Sequence, residues 1–174
     1  MNPSEQPPAQ TGDAPTASRR CDSREAIVDA LVELLATAGR RVQVFAPMLD
    51  AGIWNSPRLL DALRGFATAR AQREVQWLVQ RVEDLPREQP GLVALTQRLP
   101  SLLLLREPDP DASLPDRQGF VVTDAGALLL FDADQRPGAV FTAEKAGRAR
   151  HLAENFAQAW ERGRPLSELR ALGL

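Results

Sequence analysis

The sequence predicts one α/β domain built on a mixed β-sheet flanked by helices, and three features lead to that class. Over residues 22–106 helical and strand patterns alternate three times, the arrangement of parallel strands joined by right-handed helical crossovers. Residues 119–132 then place two apolar runs on either side of Asp124-Ala125-Gly126, a turn suited to an antiparallel hairpin. A long amphipathic stretch closes the chain, and 174 residues suffice for one core of ordinary size.

Each element has its own signal. Residues 1–21 are rich in Pro, Gln, Ser and Thr without apolar periodicity, so a disordered tail is expected there and the domain is expected over 22–174. Asp22 is the expected cap of a first helix on which Ile27, Ala30, Leu31, Leu34, Leu35 and Ala38 recur at three- and four-residue spacing, stopped by Gly39. The β-branched run Arg41-Val-Gln-Val-Phe-Ala46 reads as a strand ended by Pro47. Ser56-Pro57 opens a second helix with Leu59, Leu60, Leu63, Phe66 and Ala67 on its apolar side. A strand over 74–80, a short helix over 90–99 and a leucine-rich strand over 101–106, expected to be buried on both faces, complete the alternation. After a polar loop come strands over 119–123 and 127–132, a short strand over 138–142 and a helix over 143–162. The end, 165–174, is expected to pack back as a short helix through Leu166, Leu169, Leu172 and Leu174. Trp77, Phe156 and Trp160 fall at core spacing, whereas Trp54, between Gly52 and Asn55, is expected in an exposed loop.

Composition and motifs exclude several kinds of chemistry. A net charge of −2 argues against a general nucleic-acid binder, and the basic residues are all arginine apart from Lys145. Cys21 is the one cysteine, so no intrachain disulfide or multi-thiolate zinc site can form, and a reducing, cytoplasmic setting is expected. The first ten residues lack the basic start and apolar run of an export signal. The densest apolar runs, 102–105 and 127–131, are far shorter than the roughly 20 residues of a membrane span. The phosphate-loop and dinucleotide glycine patterns are missing, and no cofactor is implied. His151, the one histidine, sits among Arg148 and Arg150 and reads as a solvated helix residue; no metal site is implied.

The carboxylates of interest are Asp50, Asp124 and Asp132, each at or just beyond a strand end, where open sheets place their ligands. Asp50 could face a crevice or satisfy backbone amides in its loop; Asp124 could serve its turn.

Four segments, in order and spacing, resemble one repeat of the phospholipase D-like fold. They are 42–50 (Val-Gln-Val-Phe-Ala-Pro-Met-Leu-Asp), 119–126 (Gly-Phe-Val-Val-Thr-Asp-Ala-Gly), 156–160 and 168–172 (Glu-Leu-Arg-Ala-Leu). More narrowly, the chain resembles an uncharacterised bacterial family of phospholipase D-like domains, found alone or joined to acetyltransferase-like domains. Catalytic members of that superfamily carry His-x-Lys-x4-Asp, whose histidine attacks phosphorus while its lysine holds phosphate oxygens. With Asp124 in the aspartate place, the lysine place falls on Gly119 and the histidine place on Arg117. Glycine has no side chain, and arginine stays protonated and is no nucleophile. The resemblance therefore implies the fold without the phosphodiesterase mechanism: a non-catalytic cytoplasmic binding or scaffolding module. The alternative is an enzyme with an unrecognised site, or an anion sensor, around Asp50, Arg106, Arg117 and Asp124. A homodimer is also implied, because the catalytic sites are built from two facing repeats, and an acetyltransferase-like partner is implied by the family's domain combinations.

Overall fold

A computed structural model describes residues 17–70, 72–115, 118–133, 136–143, 147–167 and 169. Strand β1 (Ser18–Cys21) leads into helix α1 (Arg24–Thr37), strand β2 (Arg41–Ala46), the single turn α2 (Ala51–Trp54) and helix α3 (Pro57–Ala69). Strand β3 (Glu74–Val79), helices α4 (Leu85–Glu88) and α5 (Pro90–Arg98) and strand β4 (Leu103–Glu107) follow. The hairpin β5 (Phe120–Thr123) and β6 (Leu128–Phe131), strand β7 (Ala139–Thr142), helix α6 (Gly147–Arg162) and the two-residue strand β8 (Arg164–Pro165) finish the chain.

All strands join one sheet in the order β1-β7-β6-β5-β2-β3-β4-β8. β2, β3 and β4 are parallel, as the helix-strand alternation predicts, and every other neighbouring pair is antiparallel. Alternate side chains separate two layers. Val42, Val44, Val75, Trp77 and Val79 pack with α1, α3 and α5, while Phe45, Leu78, Phe120, Val122 and Leu128 pack under α6. On the α6 side the aromatics interlock: Phe120 meets Phe156 edge-on at 6.4 Å, and Phe156 stacks on Trp160 at 5.8 Å. Trp77, Phe156 and Trp160 are core, as their spacing requires.

Several expectations are corrected. Ser23, not Asp22, caps α1, its Oγ accepting from the Ala26 amide at 3.1 Å. Regular structure starts at Ser18 rather than after residue 21, since β1 hydrogen-bonds antiparallel to β7. Only Cys21 of its four side chains is buried, so the strand leaves no apolar alternation to detect. Its arginines hold it from outside: Arg19 lies over the Phe141 ring at 5.0 Å and pairs with Glu33 at 2.8 Å.

Trp54 is 3% exposed, not in an open loop. Asp50 caps α2, and that single turn rolls the indole inward against Trp77, edge-on at 6.3 Å. In the leucine run only Leu103 is fully buried; Leu104 and Leu105 are half-buried because β4 lies beside the two-residue edge strand β8. After that strand Leu166 and Leu169 are buried, as expected; the rest of the helix expected over 165–174 lies mostly outside the described residues. Among the described residues no helix is long and apolar enough to cross a membrane.

Chains beginning at Ala17 and at Asp22 differ only in β1 and its lead-in. The shorter one is expected to melt lower by about 5 °C or more, because the β7 edge and Cys21 contacts are lost. Equal midpoints in thermal denaturation would show that β1 adds nothing to the fold.

Candidate functional site

Parallel strands release their loops at their carboxyl ends, and here that end of β2 adjoins the start of β5, the end of β6 and the start of β7. A pocket of about 230 Å³ opens there. Ile27, Ile53, Trp54 and Phe131 contribute apolar walls, and Met48 stands at it 54% exposed. Asp50, Asp132 and Arg136 supply its charged groups.

Both acids are already engaged. Asp50 accepts the Gly52 amide at 2.8 Å, and Arg24 Nε lies 3.0 Å from each of its carboxylate oxygens. Asp132 is gripped by both terminal nitrogens of Arg20, whose Nε also donates to Asp22 at 2.6 Å. Gly138 makes that grip possible, since a Cβ there would stand 2.6 Å from Arg20 Nη2 and closer still to the Asp132 carboxylate. Arg136 has no carboxylate partner among the described residues. At Gly119 an added Cβ would lie 3.0 Å from the Phe45 carbonyl oxygen, with Phe131 and Pro47 side-chain atoms at 3.5 Å.

Asp124 is at the other end of the sheet. Its carboxylate accepts the Gly39 amide at 2.9 Å and the Arg40 amide at 2.7 Å, so it ties the hairpin turn to the turn between α1 and β2. The length of β2, roughly 17–20 Å at strand rise, separates it from Asp50. Arg106 is committed elsewhere: its guanidinium donates to the Trp160 carbonyl at 2.6 Å and lies 4.4 Å over the Trp160 ring. Arg117 lies outside the described residues, as does Lys145. Asp50, Arg106 and Asp124 therefore do not meet in one cleft.

His151 is exposed and contacts Asn155 at 3.3 Å. No group of acids, histidines and cysteines with metal-binding geometry occurs among the described residues. Sequence reasoning missed Arg136 and Gly138 in the pocket lining, and Arg20, which holds the pocket's Asp132. Arg20 and Asp132 are 112 positions apart, so no local pattern could pair them.

A model of a domain family of unknown function, DUF7931, matches residues 23–172. The chain belongs to that family. Among solved structures it is similar to Nuc, a phospholipase D family member from Salmonella typhimurium, with a TM-score of 0.58 and 14% identity over 86% of this chain and 97% of that one. It is also similar to TrmBL2, an archaeal chromatin protein described as binding DNA, with a TM-score of 0.58 and 13% identity over 86% of this chain. The DUF7931 chain spans 55% of that protein's length. No curated protein matches. The fold is thus phospholipase D-like, a mixed sheet with helices on both faces.

Arg20 holds the Asp132 carboxyl below the usual carboxylate range through its hydrogen bonds. The stabilisation from this pair is therefore fully present above the ordinary carboxylate pKa of about 4 and is lost as the pH falls through the depressed value. In urea denaturation across the acid range, Asp132→Asn is expected to be less stable than the parent at neutral pH and to lose less stability on acidification. Parallel pH profiles would refute this.

Proposed function

We propose that this DUF7931 chain is a non-catalytic phospholipase D-fold module that binds at the carboxyl-end pocket instead of cleaving phosphodiesters. The observation that carries this reading is Gly119. It lines the pocket, it has no side chain to hold a phosphate oxygen, and a Cβ there would press on the Phe45 carbonyl. A lysine at this position would require the start of β5 to shift away from β2. No histidine, lysine or cysteine lines the pocket among the described residues, and its two carboxylates are each held by an arginine, which removes them as free bases. What is left is a largely apolar recess with paired charges at its rim, a surface for holding a ligand or partner side chain.

Cys21, buried and the one cysteine of the chain, suits a reducing cytoplasmic setting. The net charge of −2 favours a partner other than nucleic acid. Pairing with a second copy is part of the same reading. Two-repeat phospholipase D sites face one another, and Met48, the exposed large hydrophobic residue of the described chain, stands at the pocket where such a face would form.

Purified protein is expected to show no turnover of bis(p-nitrophenyl) phosphate, single-stranded DNA or phospholipid. Hydrolysis that disappears in Asp50→Asn or Asp132→Asn would overturn the non-catalytic reading. In sedimentation equilibrium at micromolar concentration the expected mass is near twice 19.1 kDa, and a single species at the monomer mass would exclude the dimer.

A further inference from the structure

The size and walls of the carboxyl-end pocket narrow what it can hold. At about 230 Å³ it falls below the roughly 300–1,000 Å³ of small-molecule pockets, and one large apolar side chain suits such a space better than a nucleotide or a lipid. Ile53 and Trp54 are buried behind it, and Phe131 is half-buried in its wall. Met48 stands at its mouth, 54% exposed. A single exposed apolar side chain is ordinary on a protein surface, but one at the mouth of an apolar recess extends that recess into a contact surface.

The charge around this mouth is one-sided. Both lining carboxylates are compensated, Asp50 by Arg24 and Asp132 by Arg20. Three arginines from three different connections have no carboxylate partner among the described residues. Arg136, after β6, lines the pocket itself. Arg81, after β3, donates to Met48 Sδ at 3.3 Å, and Arg148, in the first turn of α6, donates to Gln118 Oε1 at 3.3 Å, one residue before Gly119 in the lining. A thioether and a carboxamide carry no charge, so both guanidinium groups stay uncompensated. The chain as a whole has a net charge of −2, so the surplus belongs to this face and does not follow from composition.

We infer that the pocket is the docking site of a protein partner that offers a large apolar side chain flanked by acidic residues. The apolar side chain enters the recess beside Phe131 and Met48, where its removal from water drives binding. The flanking carboxylates meet the arginine rim, which sets register and selects against basic segments. Phosphates would pair with the arginines but leave the apolar walls uncovered, so the recess favours a peptide over nucleic acid. This inference rests on the reading of the carboxyl-end pocket as a binding site, and it does not depend on pairing with a second copy.

The test selects a phage-displayed library of random linear peptides on the immobilised full chain, then measures the enriched peptides in solution by fluorescence anisotropy. Enriched sequences are expected to carry Phe, Trp, Leu or Met with Asp or Glu within two positions of it. Their affinity is expected to fall as salt is raised and to weaken by about tenfold in Arg136→Gln. Binding is expected to be lost in Ala133→Trp, because Ala133 is an exposed lining residue from which an indole can fill the recess. Both substitutions are at exposed positions, and unchanged melting temperatures verify the fold.

The inference is overturned if no peptide is enriched, if the enriched peptides are basic or lack the apolar residue, if Arg136→Gln binds them like the parent, or if single-stranded DNA at equal concentration displaces them. Enriched peptides that Ala133→Trp still binds would overturn both this inference and the pocket as a binding site. Peptides of another composition that Ala133→Trp excludes would overturn this partner alone and leave the pocket a binding site.

Discussion

β2 is the strand on which the rest of the molecule depends, because it bonds in parallel to β3 on one edge and antiparallel to β5 on the other. The parallel half requires helical crossovers, which cover the Val42 and Val44 face, whereas the antiparallel half can close through tight turns. Five of its six side chains are buried, so neither face of the strand can be exposed without opening a core. The loop that leaves its carboxyl end is fastened in turn: the fully buried Gln89 donates to the Leu49 carbonyl at 2.8 Å.

The candidate site follows from that central position. At the carboxyl end of β2 the antiparallel neighbour begins at Phe120, just after Gly119, so the ligand end of the parallel half and the start of the antiparallel half share one recess. The close approach of β5 to Phe45 that forms this recess is the same contact that crowds a side chain at Gly119. At the amino end, the chain runs from α1 into β2 and from α3 into β3, and each of these turns carries arginine. Asp124 binds the turn before β2 to the hairpin turn through two backbone amides.

Ion pairs over long sequence separations do much of the tailoring at the rim. Arg20 joins β1 to Asp132 after β6, and Arg24 on α1 joins Asp50 after β2. Each is solvent-accessible in part and adds modestly to stability. Their larger effect is to engage the acids that position along the chain alone would suggest as ligand-binding groups.

Much of the layer arrangement was legible in the residues themselves. The helical spacing of Ile27 to Ala38, the β-branched run ending at Pro47, the Ser56-Pro57 start and the turn at Asp124-Ala125-Gly126 are local signals, and local backbone preference and side-chain periodicity decide them. The resemblance carried by 42–50 and 119–126 likewise pointed to the phospholipase D-like fold. Burial of Trp54 was hidden because a four-residue turn has no period, and β1 was hidden because its partner is β7, more than a hundred residues away. The sequence by itself determined the alternation of elements and the core faces. Only the tertiary structure decided that Asp50 and Asp124 stand at opposite ends of one strand, that Arg106 is spent on Trp160, and that Arg20 grips Asp132. Those facts depend on strand order and register, which long-range pairing sets and which no short window of residues encodes.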